Sequence, residues 1–443
     1  MNKSFSAVLS VGMLALYAST GAHAADLLSV YRDAVAYDAQ FAAAKATVEA
    51  GRERLPQGLA GLLPTIGGGA STVWNDNETR PLIVPTATKS QFNTHGWSVN
   101  LTQPLFRWQN WVTYNQAELS VAMSEAQFDA ARMDLIVRTV QGYFDVLLAQ
   151  DSFATAQAQK KAVAEQLESA KRNFEVGTTT VTDTHEAQAK YDLVIAQEIG
   201  AENDLKVKRY ALQSLIGKDL HDLKRLKAGV QVQPPMPSDM SKWVEMAETA
   251  APGVRIAQAG YEIADREVEK QRAGHLPTLD LVATRSFGAQ GYNAAALGGV
   301  ESDTKTIGVQ LTVPLFTGGY TNSKSKEAVS LKGKAGADLD FAKRSSALSV
   351  RQAYLGVTSG LAQVKAFEAA LTSSQSALDS NKLGYEVGVR INIDVLNAQT
   401  QLFDTQQKLA KSRLDTIVAL LKLKAATGSL TETDLESANA LLN

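Results

Sequence analysis

The side chains best suited to covalent chemistry are few and scattered. The chain has no cysteine, which removes a thiolate metal site, a thiol nucleophile, a disulfide framework and an N-terminal lipid on Cys. His95, His185, His221 and His275 show no ligand spacing, and His185-Glu186 reads as a solvated pair on a helix. No Gly-rich phosphate loop or nucleophile elbow is present. No catalytic residue, metal site or cofactor is therefore expected. What does recur is a polar tip. Tyr385-Glu386-Val387-Gly388-Val389-Arg390 runs on to Asp394, Asn397 and Gln399; Phe174-Glu175-Val176-Gly177-Thr178 runs on to Thr182, Asp183 and Gln188. Tyr385 and Phe174, Gly388 and Gly177, Asp394 and Asp183, and Gln399 and Gln188 are each separated by 211 positions. Gly177 and Gly388 suit the left-handed residue that ends a helix. Asp183 and Asp394 suit the cap or first turn of the next one. The chain is a tandem duplication, with one helical hairpin tip in each half.

The segments that carry these tips follow from hydrophobic period. From Asp26 to Leu55 the period is helical, with Pro56 and Pro64 expected to stop it. Thr65 to Trp74 and His95 to Phe106 read as strands around a polar loop, Asn75 to Asn93. In the second of them Trp97, Val99 and Leu101 alternate with Ser98, Asn100 and Thr102. After Pro104-Leu105-Phe106 a helix of roughly 65 residues, about 100 Å long, runs to Phe174. Asp183 to Ile216 is a second helix, about half as long. The second half repeats the order. It has a helix from Trp243 to Arg272 and strands at Thr278 to Phe287 and Thr306 to Val313. A long helix then runs from Gly318 to Tyr385 and a half-length one from Asp394 to Ala426. Two short helices stacked end to end match one long one. The long helices cannot fit inside a globule and imply coiled-coil-like packing.

The net charge of −2 and pI near 6.3 give no nucleic-acid signature. Lys3, the apolar run Phe5 to Ala18 and Ala22-His23-Ala24 read as a signal peptide over 1–24. The rest divides into a first structural repeat, 25–217, a linker, 218–242, a second repeat, 243–428, and a tail, 429–443. Four strands of roughly ten residues could cross a bilayer when tilted. The alternation alone would favour a soluble sheet packed on helices. Export, two separated hairpins with long polar loops, and helices too long to fold back as a cover favour the membrane. Four strands cannot close a barrel, and an open edge in lipid leaves backbone groups unpaired. Sheet must then be shared between copies: two chains supply eight strands, a filled interior, and three supply twelve, a conducting one.

Leu-Pro-Thr at 63–65 and 276–278, Pro-Leu-Phe at 104–106 and 314–316, the run His275-Leu276-Pro277-Thr278-Leu279-Asp280-Leu281 and the paired tips stand in order at duplicated spacing. In this the whole mature chain resembles the TolC-type outer-membrane efflux and secretion channels. The resemblance implies a mainly α fold with a transmembrane β-barrel. In it a homotrimer forms a twelve-stranded barrel in outer-membrane lipid and a long periplasmic α-barrel, with 218–242 and the tail in an equatorial belt. It implies a periplasmic adaptor (a membrane fusion protein) and an inner-membrane RND or ABC transporter as partners. It implies a gate made by Thr182, Asp183, Tyr385 and Arg390. Tyr385 would donate to Asp183, and Arg390 would fork onto oxygens of the first tip. Asp394 would form the constriction ring, with Asn397 where the family's pattern has a second aspartate, halving the ring's charge. Val176, Gly177 and Thr178, with Val387, Gly388 and Val389, match the tips that adaptors grip. An adaptor or tethering protein of the periplasm is the alternative, but it would carry one hairpin and a lipoyl-like domain.

Overall fold

The computed structural model describes residues 24–80, 83, 86–220, 222–227, 229–293 and 298–443. The expected signal peptide, apart from Ala24, and His221 lie outside them. The first half holds α1 (Leu27–Tyr37), α2 (Ala39–Arg52), α3 (Arg54–Ala60), β1 (Thr65–Thr79), β2 (Thr88–Phe106), α4 (Trp108–Glu175) and α5 (Val181–Ile216). The second holds α6 (Met240–Ala250), α7 (Pro252–Arg272), β3 (Thr278–Asn293), β4 (Gly298–Thr312), α8 (Tyr320–Glu386), α9 (Asn392–Ala426) and α10 (Glu432–Asn439). The duplicated order expected from sequence is the one found, and α4 and α8 reach 68 and 67 residues.

Three local expectations are corrected. The first helix breaks at Asp38, whose side chain leaves α1 and caps α2 by accepting from the Phe41 amide at 2.9 Å. Arg138 forks onto the same carboxylate at 2.9 and 3.3 Å. That fork holds the Asp38 carboxyl below its ordinary range, against the upward push of burial. Pro56 does not stop the helix; it sits in the first turn of α3, where its missing N–H costs nothing. Third, α6 and α7 are two helices, divided where Ala251 leaves helical geometry and Pro252 opens the next.

The strands are also longer than expected. Asn75 to Thr79 and Thr88 to Asn93, read as loop, pair as strand. Apart from Phe92 both faces are polar there, so no alternation marks it. The two hairpins are not separate either: β1-β2-β3-β4 form one antiparallel sheet, with Trp97 opposite Phe287 and Leu101 opposite Ala283. Directly opposed residues share a face. One face carries Ile66, Val99, Leu101, Leu281, Ala283, Ile307, Val309 and Leu311; the other carries Ser98, Asn100, Thr102, Thr284, Ser286, Thr306 and Gln310. Ile307, Val309 and Leu311 are 77, 60 and 62 % exposed, far too open for a sheet packed on helices. Arg107, just before α4, ties sheet to helix by forking onto the buried Asp280 at 2.8 and 2.6 Å.

The helices form a layer. Near the sheet α4 lies between α2 and α7, and α7 packs on α8; further down α4 lies between α5 and α9, and α9 packs on α8. The main core sits midway, where Leu27, Val30, Tyr143, Phe144, Leu223, Leu430, Leu435 and Leu442 are buried together. Tyr143 donates its hydroxyl to the Ala25 and Lys224 carbonyls at 3.0 and 2.8 Å. Leu223 bridges Ala25, and Leu226 bridges Leu442. Segment 222–227 and the C-terminal residues thus pack against the middle of α4.

Candidate gate at the helix tips

Each tip is built by a positive-φ glycine. Gly177 (φ 80°) follows α4, and Gly388 (φ 78°) follows α8. The Gly177 amide donates to the Phe174 carbonyl at 3.0 Å and the Gly388 amide to the Tyr385 carbonyl at 3.1 Å. Val176, Val387 and Val389 stand 73, 65 and 75 % exposed, while Thr178 folds its hydroxyl onto the Asn173 carbonyl at 2.9 Å.

The polar groups are arranged differently at the two tips. Thr180 caps α5: its hydroxyl accepts from the Asp183 amide at 3.3 Å, while the Asp183 carboxylate accepts from the Thr180 amide at 3.1 Å. Asp183 is therefore occupied in its own hairpin, and Tyr385 does not reach it within the chain. Ile391 occupies the cap of α9 and offers no side-chain acceptor. Asp394 instead pairs with Arg390 at 3.6 Å, an exposed ion pair (59 and 34 %). The Arg390 stem lies across Gly384, where an added Cβ would meet Arg390 Cγ at 2.6 Å. Thr182 is exposed and makes no side-chain hydrogen bond among the described residues. Asn397 is exposed and lines a cavity of about 670 Å³ with Gln159, Gln197, Gln401 and Asp404.

Two links between the hairpins involve residues that sequence reasoning missed. The Asn173 amide donates to the Tyr385 hydroxyl at 3.1 Å, and Gln166 donates to Asn392. Asn392 is 1 % exposed, and its own amide nitrogen has no hydrogen-bond partner among the described residues. Beneath these links Leu396 inserts into the first hairpin's core of Val163, Leu167, Ala187 and Val194. A signal for Asn392 existed: it is a polar residue in line with the apolar Val395, Leu396 and Leu402. For Asn173 none did.

Exposed aromatics bracket the apolar face of the sheet. Phe106, Trp108, Trp111, Phe316 and Tyr320 lie at the helix end, and Trp97 and Trp74 toward the far end. The ten residues from Trp97 to Phe106 span about 30 Å of strand, a bilayer core at the usual tilt. Among the described residues no helix is long and apolar enough to cross a membrane. A lipid-facing sheet carrying a long helical layer defines an outer-membrane conduit.

The comparisons agree. The profile described as Outer membrane efflux protein matches residues 30–218 and 243–429, and the chain belongs to that family. It is 32 % identical over 423 residues to outer membrane protein TolC of Vibrio cholerae, covering 95 % of each chain. It is 32 % identical over 439 residues to the alkaline protease secretion protein AprF of Pseudomonas aeruginosa, covering 96 % of this chain and 89 % of AprF. Among solved structures, the Campylobacter jejuni CmeC outer membrane channel superposes with a TM-score of 0.79 at 19 % identity, over 94 % of this chain and 90 % of CmeC. The protein is a TolC-type channel of the outer membrane, an exit duct for efflux or type I secretion rather than an enzyme. The adaptor reading is not favoured.

Proposed function

We propose that three copies close side by side into one duct, shut at its lower mouth by the paired tips and opened when partners engage them. The observation that carries this reading is that every layer of the chain ends in an open edge. β1 and β4 each lack one neighbour in the sheet. At one side of the helical layer α5 exposes Leu193, Ile199, Val207 and Tyr210; at the other α8 exposes Phe341, Leu348 and Leu355. Unlike edges that meet head to tail close into a ring, and a ring alone removes open strand edges from lipid.

In this reading Tyr385, Arg390, Thr182 and Asp183 face neighbouring tips across the mouth, and Asp394 rings the axis. The periplasmic adaptor holds the exposed Val176-Gly177-Thr178 and Val387-Gly388-Val389 turns, and an RND or ABC transporter of the inner membrane loads the duct. The protease-secretion name of the AprF relative favours proteins among the cargo. Segment 218–242 and the tail 429–443 act as a belt around the helices, and 1–24 as the export signal. The test is the mass of the detergent-extracted particle together with its conductance in a planar bilayer. A trimer with a small, closed conductance is expected; a monomer, or a wide-open pore without partners, overturns the reading.

A further inference from the structure

On the lipid-facing side of the sheet one pair of side chains breaks the apolar pattern. Arg285 on β3 and Lys305 on β4 stand directly opposite each other. Like charges in that position repel. Asp303 is the one carboxylate near both, at 3.5 Å from Arg285 and 3.9 Å from Lys305. The Arg285 guanidinium lies 5.7 Å from the Trp97 ring centroid. Both cations are largely exposed, with side chains 55 and 66 % open. Val99 stands level with Arg285 on β2, and the next residues on this face toward the helices are Leu101, Ala283 and Ile307. Toward the strand ends come Asp303 and Glu301.

The level of this pair is fixed by its neighbours. Trp97 and Phe287, opposite each other, are the aromatic step just beyond Arg285. Such residues mark the bilayer interface, where a cation on the lipid face is tolerated and the midplane is not. The helices hang from the other end of the sheet, so this is the outer leaflet. Two cations share one carboxylate and face lipid, which leaves a positive charge unmatched. A guanidinium fork beside an ammonium suits a phosphate.

We propose that Arg285 and Lys305 bind the phosphate-bearing headgroup of an outer-leaflet lipid. The cations lie on the membrane side of Asp303 and Glu301. A phosphate that reaches them therefore belongs to a molecule whose tails run down the strip formed by Leu101, Ala283 and Ile307. A free anion would have to pass the two carboxylates first. The site does not depend on how the tips open or on which partners engage them.

The experiment is native mass spectrometry of the detergent-extracted full-length protein titrated with diphosphorylated lipid A, with dephosphorylated lipid A and with inorganic phosphate. The wild type should retain the diphosphorylated lipid. Arg285→Gln with Lys305→Gln should weaken it at least about tenfold, the loss expected when charge-assisted contacts are removed. Arg285→Lys should keep part of the binding. Unchanged melting of the double variant shows that the sheet still forms; if the variant fails to fold, the Lys305→Gln single variant carries the same comparison. Equal binding of the dephosphorylated lipid, equal binding by the variants, or displacement by millimolar inorganic phosphate would each overturn the proposal.

Discussion

The two tips come from one ancestral turn, yet they spend their polar groups differently. Their backbones agree within 2° at the turn glycine. At a separation of 211 positions, Thr179 of the first tip corresponds to Arg390 of the second, Thr180 to Ile391, and Asp183 to Asp394. In the first tip Thr180 is present to cap, so Asp183 is closed into a reciprocal box. In the second Ile391 cannot cap, so the same aspartate is released and Arg390 finds it. Asn173 corresponds to Gly384, and loss of the side chain there makes room for the Arg390 stem. One change at the cap and one in the last helical turn thus turn a self-satisfied hairpin end into one with exposed, exchangeable charge. If the mouth is gated, the second tip is the moving contact and the first is the frame.

The largest effect should come from removing that mobile chemistry. Arg390→Ser with Tyr385→Phe deletes the ion pair and the Asn173 link, each worth on the order of 1 kcal/mol or less, in every copy. Single-channel conductance should rise several-fold. Asp183→Ala should open the channel far less, because its carboxylate is already held by Thr180 and breaks no link between the hairpins, whereas Tyr385→Phe removes the bond to Asn173; matching conductance gains from the two variants would erase the contrast. Next comes Asp394→Asn. Glu186, the counterpart of Asn397, keeps a carboxylate in the first repeat, so the second tip has already lost one of its two acidic positions. With Asn397 beside it, the variant has no carboxylate left at either position. Cation preference, read as reversal potential in a salt gradient, should fall sharply, whereas Asp183→Asn should leave it nearly unchanged.

How far the sequence revealed this depends on the kind of signal. The tips were legible because Val-Gly and Asp are forced by helix-end geometry. The strands were legible only where one face meets lipid: Trp97 to Leu101 and Ile307 to Val313 alternate, but Asn75 to Thr79 is polar on both faces and reads as loop. The joining of β2 to β3 left no trace, since a hairpin's outer edge carries no mark of its neighbour. Asp38 was legible in principle, as an aspartate before an Ala-rich helix. The gate contacts were not. Which polar group meets Tyr385 depends on how the second hairpin packs against the first, where Leu396 enters the core of Val163 and Leu167, and spacing along the chain does not encode that packing. The expected partner, Asp183, is held by Thr180 in its own hairpin; the observed one, Asn173, lies 3.1 Å from the Tyr385 hydroxyl.

The smallest effects test whether the difference really lies in the caps. Thr180→Ala should weaken the start of α5 by about 1 kcal/mol, seen as faster amide exchange over residues 181–184. Ile391→Thr should do the reverse in the second tip. The new hydroxyl completes a box with Asp394 and draws the carboxylate from Arg390, so exchange over 392–395 slows while conductance rises modestly. Gly177→Ala and Gly388→Ala supply the control. Both glycines hold a left-handed φ with open space around a new Cβ, so each substitution costs about 1–2 kcal/mol of strain and no clash. Equal losses in local stability at the two tips would show that the turns remain interchangeable. The asymmetry would then rest on Thr180 and Ile391, with the loop backbone contributing none of it.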